Sequence, residues 1–271
     1  MRTHHIAGGG GAQIHLVETG QTAGRSILFL HGFAQCWRVW SHQMSSDLER
    51  DFRLVAMDLR GHGGSEKPSE GYDDSRLWAG DIHAAIETLR LEQPILCGWS
   101  YGPLVILDYI RHFGDEAIGG IDFVGGVTQL GSAEATALLT PEFLALVPGF
   151  FSTDPSENRR SLDALLHLCF DKLSREQLSE MLENSLAVPT YVRQGLFART
   201  LDNDDLLKQL RKPVLISHGA KDRVVKPLAV ERHQAGIPQA QVHLVPQASH
   251  GFFWDDAPTF NQRLRTFAGQ L

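Results

Sequence analysis

Cysteine, positive charge and long apolar runs are all scarce in this 271-residue chain. Its three cysteines, Cys36, Cys97 and Cys169, are widely spaced, so we expect reduced thiols in a cytoplasmic protein. The thirteen histidines lack ligand spacing, so we expect no structural metal. A net charge of −7 without a dense Lys/Arg run argues against a nucleic-acid partner. The apolar runs are too short to cross a bilayer, and the first residues lack the apolar core of a signal peptide, so we expect no membrane association.

Short apolar segments alternate with helix-like segments along most of the chain. The predicted strands are residues 13–18, 26–30, 52–57, 95–97, 118–127, 213–219 and 240–245. The predicted helices are residues 39–48, 77–89, 104–111, 228–235 and 258–267. Four glycines at residues 8–11 have no predicted strand before them, so we interpret them as a flexible turn. The alternation predicts an α/β protein whose parallel sheet is covered on both faces.

Residues 129–205 depart from this alternation and carry signals for helix starts. Thr-Pro at 140–141 and Asp-Pro at 154–155 are typical of an N-cap followed by proline at the first helical position. The Ser-x-x-Gln sequence at 174–177 has the spacing of a capping box. We therefore predict a helical cap over residues 129–205, inserted between two parts of one core, residues 1–128 and 206–271.

The sequence Gly-Trp-Ser-Tyr-Gly at residues 98–102 follows a predicted buried strand and precedes a predicted helix. In that context Gly-x-Ser-x-Gly forms a sharp turn that exposes the serine hydroxyl. Ser100 is therefore a candidate nucleophile. The alternative is an ordinary glycine turn.

A serine nucleophile needs a base, and a histidine base needs an orienting carboxylate. His250 follows the last predicted strand and Asp222 follows the strand before it, so both are expected at the carboxyl edge of the sheet, where such sheets bind ligands. The order Ser100, Asp222, His250 matches the order expected for this arrangement. The alternatives are a loop histidine and a solvated turn aspartate paired with Arg223 or Lys221.

Attack on a carbonyl creates an oxyanion, which needs hydrogen-bond donors. The backbone N–H of Tyr101, directly after the candidate nucleophile, is one candidate donor, and the N–H of Phe33 in the turn after an earlier strand is the other. His31 is expected to brace that turn structurally. The alternative is that residues 31–33 simply connect a strand to a helix.

Together these motifs resemble the α/β-hydrolase superfamily, and within it the cofactor-free, non-haem haloperoxidase-like serine esterases. The motifs are residues 31–33 (His-Gly-Phe), 58–65 (Asp-Leu-Arg-Gly-His-Gly-Gly-Ser), 98–102, 219–222 (Gly-Ala-Lys-Asp) and 249–251 (Ser-His-Gly). The resemblance implies a mostly parallel eight-stranded sheet with the cap after the sixth strand, and no cofactor or metal. It also implies hydrolysis of a carboxylic ester or lactone, sometimes with perhydrolysis as a side reaction. Pro103 departs from many relatives, which have glycine there.

Aromatic residues near the predicted site suggest an apolar acyl pocket for a small or medium ester. The predicted pocket residues are Trp99, Gln129, Phe143 and Phe252, with Gln129 as a polar contact. Two other functions remain open: a carbon–carbon bond hydrolase or lyase with the same triad, and a non-catalytic ligand receptor on a hydrolase scaffold. The sequence does not distinguish a monomer from a homo-oligomer.

Overall fold

An eight-stranded sheet runs through the protein in the computed structural model, which describes residues 1–271. The strands are β1 (Arg2–Ala7), β2 (Gln13–Gly20), β3 (Arg25–Leu30), β4 (Phe52–Met57), β5 (Ile95–Trp99), β6 (Gly120–Val124), β7 (Val214–Gly219) and β8 (Gln241–Val245). Their order is β1-β2-β4-β3-β5-β6-β7-β8. Strand β2 is antiparallel to both of its neighbours, and every other pair is parallel. The predicted fold class is confirmed.

Twelve α-helices accompany the sheet. They are α1 (Ser41–Met44), α2 (Ser75–Leu89), α3 (Gly102–Phe113), α4 (Ala133–Ala137), α5 (Pro141–Phe150), α6 (Pro155–Cys169), α7 (Arg175–Leu186), α8 (Thr190–Phe197), α9 (Asp204–Leu207), α10 (Leu228–Gly236), α11 (Phe252–Asp255) and α12 (Ala257–Ala268). The central strands β3 to β7 are almost entirely buried, as expected for a parallel sheet covered by helices. None of the helices combines the length and apolarity needed to span a bilayer.

The start of the chain differs from the prediction. Strand β1 is a largely exposed edge strand in which only Ile6 is buried, so it lacks the apolar pattern by which the other strands were predicted. The glycines that follow form a 3-10 helix, Gly9–Gly11, against α2. A Cβ on Gly9 would lie 2.2 Å from the carbonyl oxygen of Leu77, so this close approach requires glycine.

The helix predicted over residues 39–48 is divided in the structure. A 3-10 helix, Trp37–Trp40, leads into the short α1, and a second 3-10 helix, Asp47–Arg50, follows. The hydroxyl of Ser46 accepts a hydrogen bond from the N–H of Leu48 at 3.2 Å and caps the second turn. This side chain therefore starts a new turn instead of continuing the first.

Helices α4 to α9 all lie between β6 and β7, the segment predicted as a cap. The side chains of Thr140 and Asp154 cap α5 and α6, and Ser174 and Gln177 form both hydrogen bonds of a capping box. Leu130 pairs with Leu201 by two backbone hydrogen bonds of 3.0 and 2.9 Å, which join the two ends of the segment. The domain boundaries at residues 129 and 205 stay a prediction.

A buried carboxylate, Asp58, joins the turns that follow β3 and β4. Its oxygens accept hydrogen bonds from the N–H groups of Trp37 (2.6 Å) and Gly64 (2.8 Å), and one oxygen lies 2.8 Å from Nδ1 of His15. Burial alone would raise the pKa of Asp58. These hydrogen bonds, the one with His15 foremost, outweigh burial and hold the pKa of Asp58 below its ordinary value of 3.8.

Replacing Asp58 with asparagine is expected to weaken the dependence of stability on pH under acidic conditions. Because the pKa is lower in the folded chain, Asp58 contributes stability that is present above pH 3.8 and is lost as the pH falls through the folded-state pKa. Urea unfolding between pH 6 and pH 3 gives the free energy of unfolding as a function of pH. The slope of that curve should be smaller in Asp58→Asn than in the wild type, by up to about 1.4 kcal/mol per pH unit. The exposed Asp73 provides the control, Asp73→Asn, and an equal change in that variant would contradict the assignment.

Candidate active site

Ser100 lies in the turn between β5 and α3, where its φ of 58° is in the left-handed region. The turn is tight because the chain folds back on itself: a Cβ on Gly98 would lie 2.8 Å from the backbone of Gly102. Hydrogen bonds from the N–H of Ser100 to Val124 (2.9 Å) and from the N–H of Val127 to Ser100 (3.2 Å) hold the conformation. A non-glycine residue in this region carries a strain of about 1–3 kcal/mol, so the surrounding contacts must impose it.

Asp222 and His250 form a buried pair at the carboxyl ends of β7 and β8. Nδ1 of His250 lies 2.7 Å from Oδ2 of Asp222. Because a carboxylate only accepts, Nδ1 carries the proton and Nε2 is free to act as a base. The other oxygen, Oδ1, accepts the N–H groups of Val224 and Val225 at 2.7 and 2.8 Å.

The alternative of a solvated aspartate is not what the structure shows. Asp222 is only 6% exposed, and neither Lys221 nor Arg223 pairs with it. Arg223 instead contacts Asp171 at 3.2 Å. The predicted carboxylate and imidazole are therefore together, and neither basic neighbour of the carboxylate in sequence forms an ion pair with it.

Two further side chains support this pair through contacts that the motifs did not predict. Trp99 donates its indole N–H to the backbone oxygen of His250 at 3.1 Å, and its ring centroid lies 5.3 Å from that of the imidazole. His218 donates from Nε2 to the carbonyl of Val225 at 3.0 Å, and the same nitrogen lies 3.3 Å from Oδ2 of Asp222. Burial lowers the pKa of His218 and favours its neutral form. His218 lies one residue before the motif at residues 219–222, and nothing in the sequence indicated that it would contact Asp222.

The turn after β3 is braced as expected by its histidine. His31 is buried, donates from Nδ1 to the carbonyl of Gly32 at 2.8 Å, and accepts the N–H of Leu59 at Nε2 at 3.0 Å. Burial lowers the pKa of His31, which suits a ring that must accept at one nitrogen. These contacts connect the turn after β3 to the turn after β4.

The two predicted anion donors belong to the turn that carries Ser100 and to the turn that passes beside it. A Cβ on Gly32 would lie 2.9 Å from Cβ of Ser100, so the backbone of this turn passes directly beside the nucleophile. The backbone N–H groups of Phe33 and Tyr101 donate to no acceptor within the protein. An oxyanion site needs donors that are free in this way, so the assignment of these two N–H groups stays a prediction.

An apolar cavity of about 60 Å³ opens onto Ser100 and His250. Its other lining residues are Phe33, Trp99, Tyr101, Val127, Leu130, Leu139, Phe143, Leu165, Cys169, Phe197, Val224 and Val225. Two of the predicted pocket residues, Trp99 and Phe143, are among them. Phe197 was missed because its position on α8 gave no indication that it would contact Phe33, with ring centroids 5.0 Å apart.

The other two predicted pocket residues lie outside the cavity, which corrects the prediction. Gln129 is buried and donates from Nε2 to Oδ1 of Asp202 at 2.8 Å, near the pairing of the two ends of the cap segment. Phe252 is buried at the start of α11 and packs edge to face against Phe260 of α12, with centroids 5.6 Å apart. Phe252 was predicted to line the pocket because it follows His250 by two residues, but its side chain points into the core.

The structure has no group of three or more His, Cys, Asp and Glu side chains arranged to hold a metal ion. The three cysteines are buried and unpaired. Burial raises the pKa of Cys36 to about 12 and that of Cys169, which lines the cavity, well above its ordinary value. Neither thiol therefore has the thiolate character of a nucleophile.

Comparison with known proteins assigns the chain to a family. Residues 25–257 match the family model described as alpha/beta hydrolase fold. The crystal structure of esterase RhEst1 from Rhodococcus sp. ECU1013 has a TM-score of 0.95 and 36% identity, and 100% of each chain is covered.

Two curated relatives are similar over most of their length. A non-heme haloperoxidase from Rhodococcus erythropolis is 26% identical, covering 90% of this chain and 92% of its own. A 2-hydroxy-6-oxononadienedioate/2-hydroxy-6-oxononatrienedioate hydrolase from Paraburkholderia phymatum is 25% identical, covering 98% of this chain and 94% of its own. The predicted resemblance to haloperoxidase-like esterases and the prediction of a hydrolytic enzyme are confirmed. The chain belongs to the α/β-hydrolase family.

Proposed function

We propose that this protein is a serine hydrolase that cleaves small carboxylic esters or lactones through an acyl-enzyme. The observation that carries the proposal is the position of Ser100, in a strained turn, on the same apolar cavity as a histidine whose Nδ1 is held by a buried aspartate. The similarity to an esterase over the whole chain supports the same reaction class.

In the first half-reaction Ser100 Oγ attacks the ester carbonyl while Nε2 of His250 takes its proton. Asp222 stabilises the imidazolium that forms, since its Oδ2 accepts the Nδ1 proton at 2.7 Å. The N–H groups of Phe33 and Tyr101 hold the oxyanion, and a well-placed donor of this kind contributes about 2.7–4 kcal/mol. His250 then returns the proton to the leaving alkoxide, and the acyl group remains on Ser100.

In the second half-reaction water attacks the acyl-enzyme. His250 removes a proton from the water and later returns it to Ser100, which releases the carboxylic acid. Hydrogen peroxide in place of water would release a peracid by the same steps. The similarity to a non-heme haloperoxidase supports this perhydrolysis as a side reaction.

A carbon–carbon bond hydrolase is the second candidate because a relative with that type of substrate covers nearly the whole chain. The name of that relative describes dioates, which carry two carboxylates. The cavity here has no lysine or arginine among its lining residues. Burying carboxylates without a cationic partner is unfavourable, so the lining favours a neutral ester.

A fluorophosphonate probe tests the proposal directly. Wild-type protein should be labelled once, and digestion followed by mass spectrometry should locate the adduct on Ser100. Prior acylation with p-nitrophenyl acetate should slow labelling, since the two reagents compete for one hydroxyl. Absence of an adduct on Ser100 under conditions that label a standard serine esterase would refute the proposal.

The small cavity predicts a preference for short acyl chains. The cavity of about 60 Å³ is less than half of the roughly 150 Å³ of an apolar protein cavity that holds benzene, so a long acyl chain does not fit without displacing lining side chains. We expect kcat/KM for p-nitrophenyl octanoate to be at least about tenfold below that for the butyrate. Phe143→Ala, which removes a lining ring, should raise the octanoate-to-butyrate ratio.

Phe151 provides the matched control for this substitution. It packs 5.4 Å from the ring of Phe197 but does not line the cavity. Phe151→Ala should leave the chain-length ratio unchanged. An equal rise in both variants would show that general loosening of the helical segment, and not the volume beside Ser100, determines the preference.

A further inference from the structure

A buried ion pair joins the helical segment between β6 and β7 to the helix that follows Ser100. Arg199 lies two residues after α8, and its guanidinium contacts both oxygens of Asp108 on α3 at 2.8 and 2.7 Å. The two side chains are 0% and 3% exposed. The guanidinium carbon also lies 5.4 Å from the ring centroid of Trp78. No motif in the sequence assigns a role to either residue.

The same guanidinium contacts the residue directly after the candidate nucleophile. Nη1 of Arg199 donates to the phenol oxygen of Tyr101 at 3.2 Å, and that hydroxyl donates to the carbonyl of Leu196 at 3.2 Å. The phenol of Tyr101 is therefore held between α8 and Arg199. Its backbone N–H, at the other end of the residue, directly follows Ser100 in the chain and donates to no acceptor within the protein.

Stability alone does not explain this arrangement. A buried ion pair gains little free energy over well-packed apolar side chains, because removing two charges from water offsets their attraction. Burial raises the pKa of Asp108 to about 6 even though Arg199 opposes the rise. What the pair does provide is geometry. Nη2 of Arg199 donates to both oxygens of Asp108, and in the planar guanidinium the neighbouring Nη1 is then directed at the phenol oxygen of Tyr101.

We infer that Arg199 is a positioning residue, which fixes the Tyr101 N–H in the orientation that stabilises the oxyanion. This inference rests on the proposed function, because it requires that the N–H of Tyr101 is an oxyanion donor. Phe197 lines the acyl cavity two residues before Arg199. One short segment, residues 196–199, therefore both lines the cavity beside Ser100 and contacts Tyr101, and through it the placement of the cap is coupled to catalysis.

The test replaces both charges, with Arg199→Met and Asp108→Leu in one chain, so that no unpaired charge is left buried. The double variant should fold, and kcat for p-nitrophenyl acetate should fall about tenfold, part of the loss that removing a donor causes. KM should change little. The inhibition constant of phenylboronic acid, which forms a tetrahedral adduct on serine, should rise by the same factor as kcat falls.

Tyr101→Phe removes the hydroxyl without affecting the charges. It should lower kcat by a similar factor. In the triple variant the fold-decrease in kcat should be smaller than the product of the two separate decreases, because both changes remove the same contact between Arg199 and Tyr101. An unchanged kcat and an unchanged boronate constant in the folded double variant would overturn the inference.

A matched control is available in a second buried ion pair. Arg60 contacts Asp81 at 2.7 Å, the side chains are 2% and 1% exposed, and Arg60 lies 5.7 Å from the same ring of Trp78. This pair does not contact Tyr101. Arg60→Met with Asp81→Leu should leave kcat and the boronate constant unchanged at a temperature where the variant is folded. An equal loss of kcat in this control would also overturn the inference.

The backbone amide resonance of Tyr101 separates this inference from the proposed function. Its ¹⁵N–¹H chemical shift should move in the Arg199→Met and Asp108→Leu variant and not in the control, whatever the protein catalyses. If the resonance moves but kcat does not, and the wild type is labelled at Ser100, the inference about Arg199 is wrong and the proposed function stands. Absence of labelling at Ser100 in the wild type would refute the proposed function instead.

Discussion

Replacing Ser100 with alanine is expected to lower kcat for p-nitrophenyl acetate by roughly 10⁶-fold, to near the background rate. Without Oγ there is no nucleophile to form the acyl-enzyme, and His250 has no serine proton to accept. The fold should be unaffected, because alanine keeps the Cβ and needs the same backbone φ of 58° that the turn already imposes. Initial rates of purified wild-type and variant protein, together with their circular dichroism spectra, provide the measurement.

The control for this substitution is the same chemical change at Ser185. This residue is buried in α7, and its hydroxyl accepts a hydrogen bond from Nε2 of Gln35 at 2.7 Å. Ser185→Ala should lower the free energy of unfolding by about 1 kcal/mol and leave kcat unchanged. Turnover by Ser100→Ala equal to that of the wild type would contradict the proposed mechanism, whatever the result with Ser185→Ala.

The parts of the site that the sequence predicted are those that depend on the ends of strands. Ser100, Asp222 and His250 each follow a strand of a parallel sheet, and such strands end at one edge. Glycines mark the turns because the backbones come too close for a Cβ, as Gly32 does beside Ser100. Local rules of this kind suffice for the motif residues and for most of the sheet.

The contacts that the sequence did not predict depend on packing between distant segments. Gln129 turns to Asp202, and Arg199 reaches Asp108, which is 91 residues away in sequence. Neither contact follows from helix periodicity or turn chemistry, since both depend on how the cap segment lies on the core. The edge strand β1 was missed for a different reason: an exposed edge needs no apolar alternation, so its pairing leaves no pattern in the sequence.

Replacing Asp222 with asparagine is expected to lower kcat by about 10⁴-fold while preserving the shape of the site. The reason is the direction of the hydrogen bonds. Oδ1 of Asp222 accepts two backbone N–H groups, from Val224 and Val225, at 2.7 and 2.8 Å. An asparagine must keep its oxygen at this position, because an NH₂ group there would face two donors. Its NH₂ group would then face Nδ1 of His250.

In that orientation the amide donates to Nδ1, so the proton of the imidazole moves to Nε2 and the base that should accept the Ser100 proton is occupied. Stability should fall much less than activity, since the two backbone hydrogen bonds remain. Asp115 is the matched control: it is also 6% exposed, and its Oδ2 accepts the N–H groups of Arg211 and Lys212 at 2.7 and 3.2 Å. Asp115→Asn should therefore leave kcat unchanged. If Asp222→Asn retained more than a tenth of wild-type kcat, the carboxylate would not set the tautomer of His250, and its assigned role would be wrong.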